Sequence, residues 1–347
     1  MELKDWSHLK YIQIGGNHKS GTSLLSSLLD GHPDVACFPG QTSATGFLYP
    51  ILRDPNVSKR AKVDAILDER CSKETDGYVP VSACDFIEVG RKLDRLMVDI
   101  DDSFANLNFA LLQAFYEEFN LEHLKTAKIW MDKSPLSHLF ADELFEIYPN
   151  MKFIHLLRDP KDNFASVGDS FLKRINSRVK REALLWRYRI WSAQSFYYAK
   201  WNQDKFGEDR YKVIRFRDMC LKPKAIMSDL ADFIGIPEMD ILYQPSRAGY
   251  FYPGNNKNGL TFDGIYAGNV DRWRERIPPY YARVMESQSA VPLNQFGYKK
   301  HFTEQERTQA LRKHRIITAL IPRFILTKQY DVRHFKRPDP KVPGLQT

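Results

Sequence analysis

The sequence has little that would anchor, cross-link or export the chain. Its 347 residues contain four cysteines, and none of them shows the C-x-x-C spacing of a zinc site or a redox pair. No apolar run reaches the ~18 residues that a membrane-spanning helix needs, and the longest, 316–326, is broken by a proline and an arginine. The start of the chain carries acids and a tryptophan where a signal peptide has a basic cluster and an apolar stretch. We therefore expect no export, no metal site and a reduced, cytoplasmic setting.

The body of the chain has almost no net positive charge, and most of the excess lies at the end of the chain. The net charge is +8, but residues 301–347 carry ten Lys/Arg against four Asp/Glu, which leaves the preceding residues close to neutral. A nucleic-acid-binding domain usually has a basic face within its body, so we expect no nucleic-acid partner. The distribution predicts a domain over 1–300 followed by a basic C-terminal extension over 301–347.

The extension contains an amphipathic segment whose role the sequence leaves open. Five apolar residues fall on one helical face and basic residues flank it, as in helices that lie on anionic membranes. The alternative is that the apolar face packs on the preceding domain and the charges are solvated. The apolar residues are Ile316, Ile317, Leu320, Ile321 and Phe324, and the basic ones are Arg312, Lys313, Arg315, Arg323 and Lys328.

Short apolar runs alternate with amphipathic helical segments along much of the chain. This alternation is typical of an α/β fold in which helices cover both faces of a parallel sheet. We therefore predict a three-layer, P-loop-like architecture. Predicted strands cover 11–16, 128–131, 152–157 and 212–216, and predicted helices cover 22–30, 106–120, 139–148, 181–201 and 223–234.

A glycine-rich segment joins the first predicted strand to the first helix. It reads Gly15-Gly16-Asn17-His18-Lys19-Ser20-Gly21-Thr22-Ser23 and combines backbone N–H groups, one lysine and three hydroxyls. Such a turn ahead of a helix N-terminus, which Thr22 is predicted to cap, is typical of a phosphate cradle. It is not the Walker pattern, because the lysine precedes the glycine instead of following it. The alternative is an ordinary turn with a surface lysine.

Two further predicted strands end in polar loops. The strand over 152–157 is followed by Arg158 and by a helix that presents Ser166, so a guanidinium and a hydroxyl are available for one phosphate group. The strand over 128–131 is followed by Lys133-Ser134-Pro135, which places a second lysine at a strand end. Alone, the first motif is also compatible with a salt-bridged strand end, and the second with an exposed turn. The three loops together are the stronger signal.

These motifs resemble the sulfotransferases that use 3′-phosphoadenosine 5′-phosphosulfate (PAPS). The first loop is similar to their 5′-phosphosulfate motif, and Arg158 with Ser166 has the spacing of their 3′-phosphate motif. Lys133 looks like the family's lysine beside the leaving phosphate. The chain is most similar to the Golgi tyrosylprotein and bacterial carbohydrate branches over residues 28–37. Residues 215–219, 232–235, 264–273 and 294–298 resemble later family segments, including the C-terminal cofactor loop.

The resemblance implies transfer of a sulfuryl group from PAPS to an acceptor hydroxyl, with 3′-phosphoadenosine 5′-phosphate (PAP) as product and no metal. The implied catalytic residues are Lys19, Lys133 and His18, with His18 the first candidate for the base and Asp132 the second. The branch favours a carbohydrate or glycolipid acceptor, whose pocket we expect from residues 43–128. The implied nucleotide contacts are Asn17, His18, Lys19, Ser20, Gly21, Thr22, Ser23, Arg158, Ser166, Phe216, Asn269 and Arg272.

Two departures from the family pattern bear on the chemistry. In the similar branch a glutamate acts as general base at about the position of Gln41, and an amide cannot take a proton at neutral pH. Phe216 stands where the family has a tyrosine near the adenine, which keeps the stacking surface and loses a hydroxyl. Two other functions stay open: a P-loop kinase for a small metabolite, and a non-catalytic nucleotide-binding protein on the same fold.

Overall fold

A five-stranded sheet forms the centre of the computed structural model. The strands lie in the order β2-β3-β1-β4-β5, and every neighbouring pair is parallel, as the alternation of elements predicts. All four predicted strands are present. The pattern does not predict β2, because three residues are too few to show a periodicity. The strands are β1 Lys10–Gly16, β2 Val35–Cys37, β3 Ile129–Lys133, β4 Lys152–Leu157 and β5 Tyr211–Arg215.

Helices pack on both faces of this sheet, and a small antiparallel hairpin of β6 Ser246–Arg247 and β7 Tyr250–Phe251 lies outside it. Each predicted helix is present, with ends that differ from the prediction by a few residues or fewer. The helices are α1 Thr22–Leu29, α2 Tyr49–Leu52, α3 Lys59–Cys71, α4 Ala83–Leu96, α5 Phe104–Glu118, α6 Ala141–Ile147, α7 Pro160–Ser170, α8 Arg178–Phe206, α9 Phe216–Leu221, α10 Pro223–Ile234, α11 Trp273–Arg276, α12 Pro279–Glu286 and α13 Glu304–Ala319.

The structure describes residues 5, 8–38, 44–45, 48–71, 83–98, 100–119, 126–170, 177–247, 249–252, 264–287, 293–322 and 325–326. Gln41, Arg323, Phe324 and Lys328 lie outside these residues, as does part of the segment expected to build the acceptor pocket. Within them, none of the helices combines the length and the apolar character that a membrane crossing requires. The cysteines whose side chains are described, Cys37 and Cys220, are buried free thiols.

Alternate residues of the strands feed two separate apolar cores. Tyr11 and Trp130 belong to the core under α5, whereas Ile12 and Ile14 belong to the core under α1 and α10. This two-residue alternation is what a sheet buried on both faces requires. The central strand β1 is buried from Tyr11 to Gly16, so the polar loop that follows it begins at a buried strand end.

The strand order places a crevice at the carboxyl ends of β1 and β4. The chain leaves β1 toward β2 and β3 on one side, and it returns to build β4 and β5 on the other. Ligands of open parallel sheets bind where the order reverses in this way. The loops after Gly16 and Leu157 both open into this crevice, which is where the sequence predicts nucleotide-binding residues.

The first part of the C-terminal extension packs on the preceding helices. Helix α13 begins at a capping box formed by Thr303 and Glu306, and it contacts α8 and α12. The prediction of one apolar face over residues 316–324 is wrong for the described residues. His314 turns inward to Glu182, at 2.8 Å between Nδ1 and Oε2, and this orients Ile321 toward the protein and Ile316 and Leu320 toward solvent. The domain boundary at residue 300 stays a prediction.

Candidate active site

The loop between β1 and α1 has the backbone conformation of an anion-binding turn. Gly16, Lys19 and Gly21 have positive φ angles of 142°, 64° and 104°. Lys19 thus holds a left-handed conformation without being glycine, which costs free energy and occurs mostly at functional turns. The Ser20 hydroxyl donates to the carbonyl oxygen of Asn17 at 2.7 Å and fixes the turn. Turns of this kind direct successive N–H groups toward one point, where an anion can bind.

Helix α1 begins at the end of this loop without a capping side chain. Its N-cap is Gly21, so the prediction that Thr22 caps the helix is wrong, and Thr22 is instead its first, buried residue. A Cβ on Gly21 would stand 2.3 Å from Cδ2 of Phe216, so the loop passes too close to that ring for any larger residue. Ser23, the next residue, is half-buried. The helix N-terminus is therefore arranged to receive an anion at its positive end.

Arg158 ties this loop to two other predicted nucleotide segments. Its Nη1 donates to the Lys19 carbonyl oxygen at 2.9 Å, and its Nη2 donates to the Asn269 carbonyl oxygen at 3.1 Å. The guanidinium carbon lies 4.2 Å from the ring centre of Phe216. Burial lowers the pKa of Arg158, although a guanidinium keeps its proton in proteins. Among the described residues its buried Nε has no hydrogen-bond partner.

The segment after residue 264 is held against this arginine by an acidic side chain of α7. Asp162 accepts hydrogen bonds from the backbone N–H groups of Asp271 and Trp273, at 2.8 and 3.0 Å. Burial raises the pKa of Asp162. Arg272 Nη1 donates to Asn269 Oδ1 at 2.7 Å, so both predicted nucleotide contacts of this segment stand together near Arg158.

Asn163 is a second residue of α7 that the sequence reasoning missed. Its Nδ2 donates to the His18 carbonyl oxygen at 2.7 Å, and its Oδ1 accepts from Asn17 Nδ2 at 3.4 Å. Asn163 is buried, so both bonds are shielded from water. The amide thereby fixes the glycine-rich loop to the helix that carries Ser166, which is half-buried. The sequence carried no signal for Asn163, because its partners Asn17 and His18 lie more than a hundred residues away in the chain.

Lys133 lies at the end of the neighbouring strand β3. It pairs in register with Ile14, two residues before Gly16, and the residue is only 4% exposed. The preceding residue, Asp132, accepts hydrogen bonds at Oδ2 from Thr45 Oγ1 at 2.8 Å and from Ser134 Oγ at 3.1 Å. The second predicted lysine therefore stands beside the glycine-rich loop, and the second candidate base is buried and bonded to two hydroxyls.

Histidine side chains cluster on the other flank of the loop. The His18 ring lies 5.4 Å from the ring of Trp191 on α8. His138, which was not predicted, is buried, and its ring centre lies 4.6 Å from that of His155. Burial, with a contribution from nearby His18, lowers the pKa of His138 to about 3. His138 is therefore neutral at physiological pH, and it lies within electrostatic reach of the first candidate base.

The arrangement suits a ligand that carries two separated anionic groups. One group fits the loop over 17–21 at the N-terminus of α1, and the other fits the guanidinium of Arg158. Gln41 cannot be placed, because it lies outside the described residues. Within the described part of the chain, no group of three His, Cys, Asp or Glu side chains is placed to bind a metal ion. The chemistry that these residues offer is binding of anions and stabilisation of negative charge.

Comparison with known proteins points to one protein family. The model of the sulfotransferase family matches residues 12–240. The protein-tyrosine sulfotransferase of Drosophila melanogaster is 22% identical over 307 residues, covering 83% of this chain and 51% of its own length. The protein-tyrosine sulfotransferase 1 of Danio rerio is 22% identical over 304 residues, covering 84% of this chain and 72% of its own length. The chain thus spans about half of the first relative and nearly three quarters of the second.

Solved structures support the fold. The sulfotransferase domain of the Synechococcus PCC 7002 olefin synthase superposes with a TM-score of 0.50 at 15% identity, covering 90% of this chain and 96% of the domain. The sulfotransferase domain of the curacin biosynthetic pathway gives 0.51 at 19% identity, covering 84% of this chain and 99% of the domain. The family match spans about two thirds of the sequence and includes the loop after β1, Lys133 and Arg158. The chain therefore belongs to the sulfotransferase family.

Proposed function

We propose that this chain transfers a sulfuryl group from PAPS to an acceptor hydroxyl, forming a sulfate ester and PAP. The observation that carries the proposal is the hydrogen bond from Arg158 to the Lys19 carbonyl oxygen, which joins two anion sites at one crevice. PAPS carries a phosphosulfate at its 5′ position and a phosphate at its 3′ position. A donor with this spacing of charge satisfies both sites at once.

The transfer is an in-line displacement at sulfur. A bond forms between the acceptor oxygen and sulfur while the bond from sulfur to the bridging oxygen of the 5′-phosphate breaks. Negative charge grows on that bridging oxygen, and the protein contributes mainly by positioning and by neutralising charge. We assign this neutralisation to Lys19 and Lys133, together with the N–H groups of the loop over 17–21.

The 3′-phosphate is assigned to Arg158 and Ser166, because a guanidinium and a hydroxyl can bind the same phosphate. Phe216 remains our candidate for the adenine contact, and its buried ring already carries the guanidinium of Arg158. Asn269 and Arg272 stand where they can close the nucleotide site from the C-terminal side. With this assignment the site selects PAPS over ATP, because ATP has no phosphate at the 3′ position.

His18 is our candidate for the base that takes the acceptor proton, because an imidazole titrates near neutral pH and its residue adjoins Lys19. Asp132 is the weaker candidate, because its Oδ2 is buried and bonded to Thr45 and Ser134.

The acceptor belongs to one of two chemical classes. The resemblance of residues 28–37 favours a carbohydrate or glycolipid hydroxyl. The relatives described above are named protein-tyrosine sulfotransferases, which makes a tyrosine side chain the second candidate. A phenol, with a pKa of about 10, loses its proton far more readily than a sugar alcohol and needs less help from a base. Gln41 in place of a glutamate is compatible with such an acceptor.

The proposal is tested by measuring PAP release from PAPS with tyrosine-containing acidic peptides, with glycans and with glycolipids in parallel. Turnover with one class identifies the acceptor. Tight PAP binding without turnover on any acceptor would favour the non-catalytic alternative. Phosphoryl transfer from ATP, dependent on Mg²⁺, would favour the kinase and contradict the proposal.

A further inference from the structure

The outward face of α13 carries exposed apolar and basic side chains together. Ile316 and Leu320 are four residues apart, so they share one face of the helix, and they are 66% and 81% exposed. Arg312 lies one turn before Ile316 on the same face, and Lys313 and Arg315 are exposed beside it. We call these five residues the outer face of α13. Adjacent large apolar side chains within a rim of cations indicate an interaction surface.

The opposite face of α13 already holds the helix to the protein. Ala310, His314 and Thr318 are buried, and His314 contacts Glu182 of α8. The extension is also anchored before the helix, because the buried carboxylate of Glu286 accepts hydrogen bonds from the backbone N–H groups at His301 and Phe302. The outer face therefore contributes little to folding, and substitutions there leave the packed face in place.

The charge around the outer face has one sign. Residues 307–322, which the structure describes, contain four Lys/Arg and no Asp/Glu. The acids of the helix, Glu304 and Glu306, lie in its first turn, and Glu306 is paired with Arg283 at 2.9 Å. A surface of this kind is complementary to a dense layer of negative charge.

We propose that the outer face of α13 binds the surface of an anionic phospholipid bilayer. The cations attract the headgroups, while Ile316 and Leu320 enter the boundary between headgroups and acyl chains. A nucleic acid would attract the same cations, but it offers no apolar layer for two large aliphatic side chains. The binding is peripheral, and it is independent of the proposed sulfuryl transfer because no residue of the nucleotide crevice takes part.

Vesicle flotation of the full chain tests this proposal. We expect binding to phosphatidylcholine vesicles with about one third phosphatidylserine, little binding to pure phosphatidylcholine, and release at high salt. The variant Ile316→Ser/Leu320→Ser should bind at least about tenfold more weakly, because it removes the apolar insertion. Arg312→Gln/Arg315→Gln should weaken binding by a similar factor, at about fivefold per cation.

A matched control is Leu221→Ser/Met239→Ser, which removes two partly exposed apolar residues elsewhere on the surface, 46% and 41% exposed. It should float like the wild type, and all variants should keep their melting temperature and PAP affinity. No flotation of the wild type on anionic vesicles would overturn the proposal. Flotation of the Ile316→Ser/Leu320→Ser variant equal to that of the wild type would overturn it as well. So would binding that DNA competes away and that does not depend on Ile316 and Leu320.

Discussion

The two sides of the sheet's carboxyl edge are built by different means. On the nucleotide side, around β1, β4 and β5, polar side chains bond to backbone atoms of neighbouring loops, as Arg158 does to Lys19 and Asn269. On the proposed acceptor side, around β2 and β3, helices α2 to α5 pack through apolar side chains, among them Tyr49 and Phe104, whose ring centres lie 4.8 Å apart. We therefore expect function on the first side to depend on a few named atoms, and function on the second to depend on overall shape.

The sharpest test of this difference is Lys19→Ala. The lysine is assigned to charge that appears in the transition state, so its loss should reduce kcat by about 10²–10³ while the melting temperature changes little. Lys128→Ala, at the exposed start of β3, is the control and should keep full activity, because its Nζ only pairs with Asp34 at the surface. A Lys19 variant that keeps more than about a tenth of the wild-type rate would contradict the assignment.

The nucleotide side also depends on a buried ion pair behind it. Lys161 of α7 donates to Glu286 of α12 at 2.9 Å, and both side chains are fully buried. Glu286→Gln removes one of the two carboxylates that pair with Lys161, since Asp159 remains at 3.2 Å, and it should lower the free energy of unfolding by about 2 kcal/mol. Glu304→Gln, on the first turn of α13, is the control and should be nearly neutral. Urea denaturation of the three proteins measures the difference, and equal midpoints would show that the pair contributes nothing.

The same pair predicts a pH dependence. Burial by itself would raise the pKa of Glu286, but Lys161 and the backbone N–H groups outweigh it and lower that pKa below its ordinary value of 4.5. The stabilisation is therefore complete above pH 4.5 and is lost as the pH falls through the lower, folded-state pKa. The gap in stability between wild type and Glu286→Gln should be constant at neutral pH and should narrow in acid. A stability difference that increases in acid would contradict the lowered pKa of Glu286.

The variant Arg158→Ala tests whether Arg158 binds the 3′-phosphate or another part of the nucleotide. It should weaken PAP binding by about 10–100-fold, the loss expected for hydrogen bonds to a charged group, and should weaken AMP binding much less. Ser166→Ala should show the same preference with a smaller loss, because its bond is not between two charges. Calorimetric titration of both nucleotides measures this. Equal losses for PAP and AMP would show that Arg158 serves only to hold Lys19 and Asn269.

The smallest effect is expected from Asn163→Ala, which releases the loop over 17–21 from α7. Loss of one buried amide contact should raise KM for PAPS by about fivefold and leave kcat within about twofold. Asn202→Ala, which removes a buried amide that bonds to the His138 carbonyl oxygen and the Tyr211 hydroxyl and not to the loop itself, is the comparison variant. If both variants change KM equally, the loop contact has no specific role.

The nucleotide side was largely predictable, and the reason is local. Lys19 and Arg158 lie in loops that follow β1 and β4, so their positions follow once these strands are parallel. Asn163 could not be predicted, because its partners at Asn17 and His18 are more than a hundred residues away in the chain.

The acceptor side resisted prediction for a physical reason as well. The strand β2 is too short for a periodicity, and the direction of His138 depends on how its 3-10 turn, Ser137–Phe140, packs against α8. The direction of α13 shows the same limit, since Ala310, His314 and Thr318 face the protein and His314 bonds to Glu182, while Ile316 and Leu320 face solvent. Where a polar contact between distant elements helps to orient a helix, the sequence pattern predicts the helix but not which of its faces packs on the protein.

The most direct test of the account is a comparison of PAP and AMP binding to the wild-type chain, by calorimetry and without added divalent cation. The two nucleotides differ only by the 3′-phosphate. The account predicts that PAP binds at least about tenfold more tightly, because Arg158 and Ser166 are placed for that group at the same crevice as the loop over 17–21. Equal affinity for the two nucleotides would contradict the claim that this crevice is a site for PAPS.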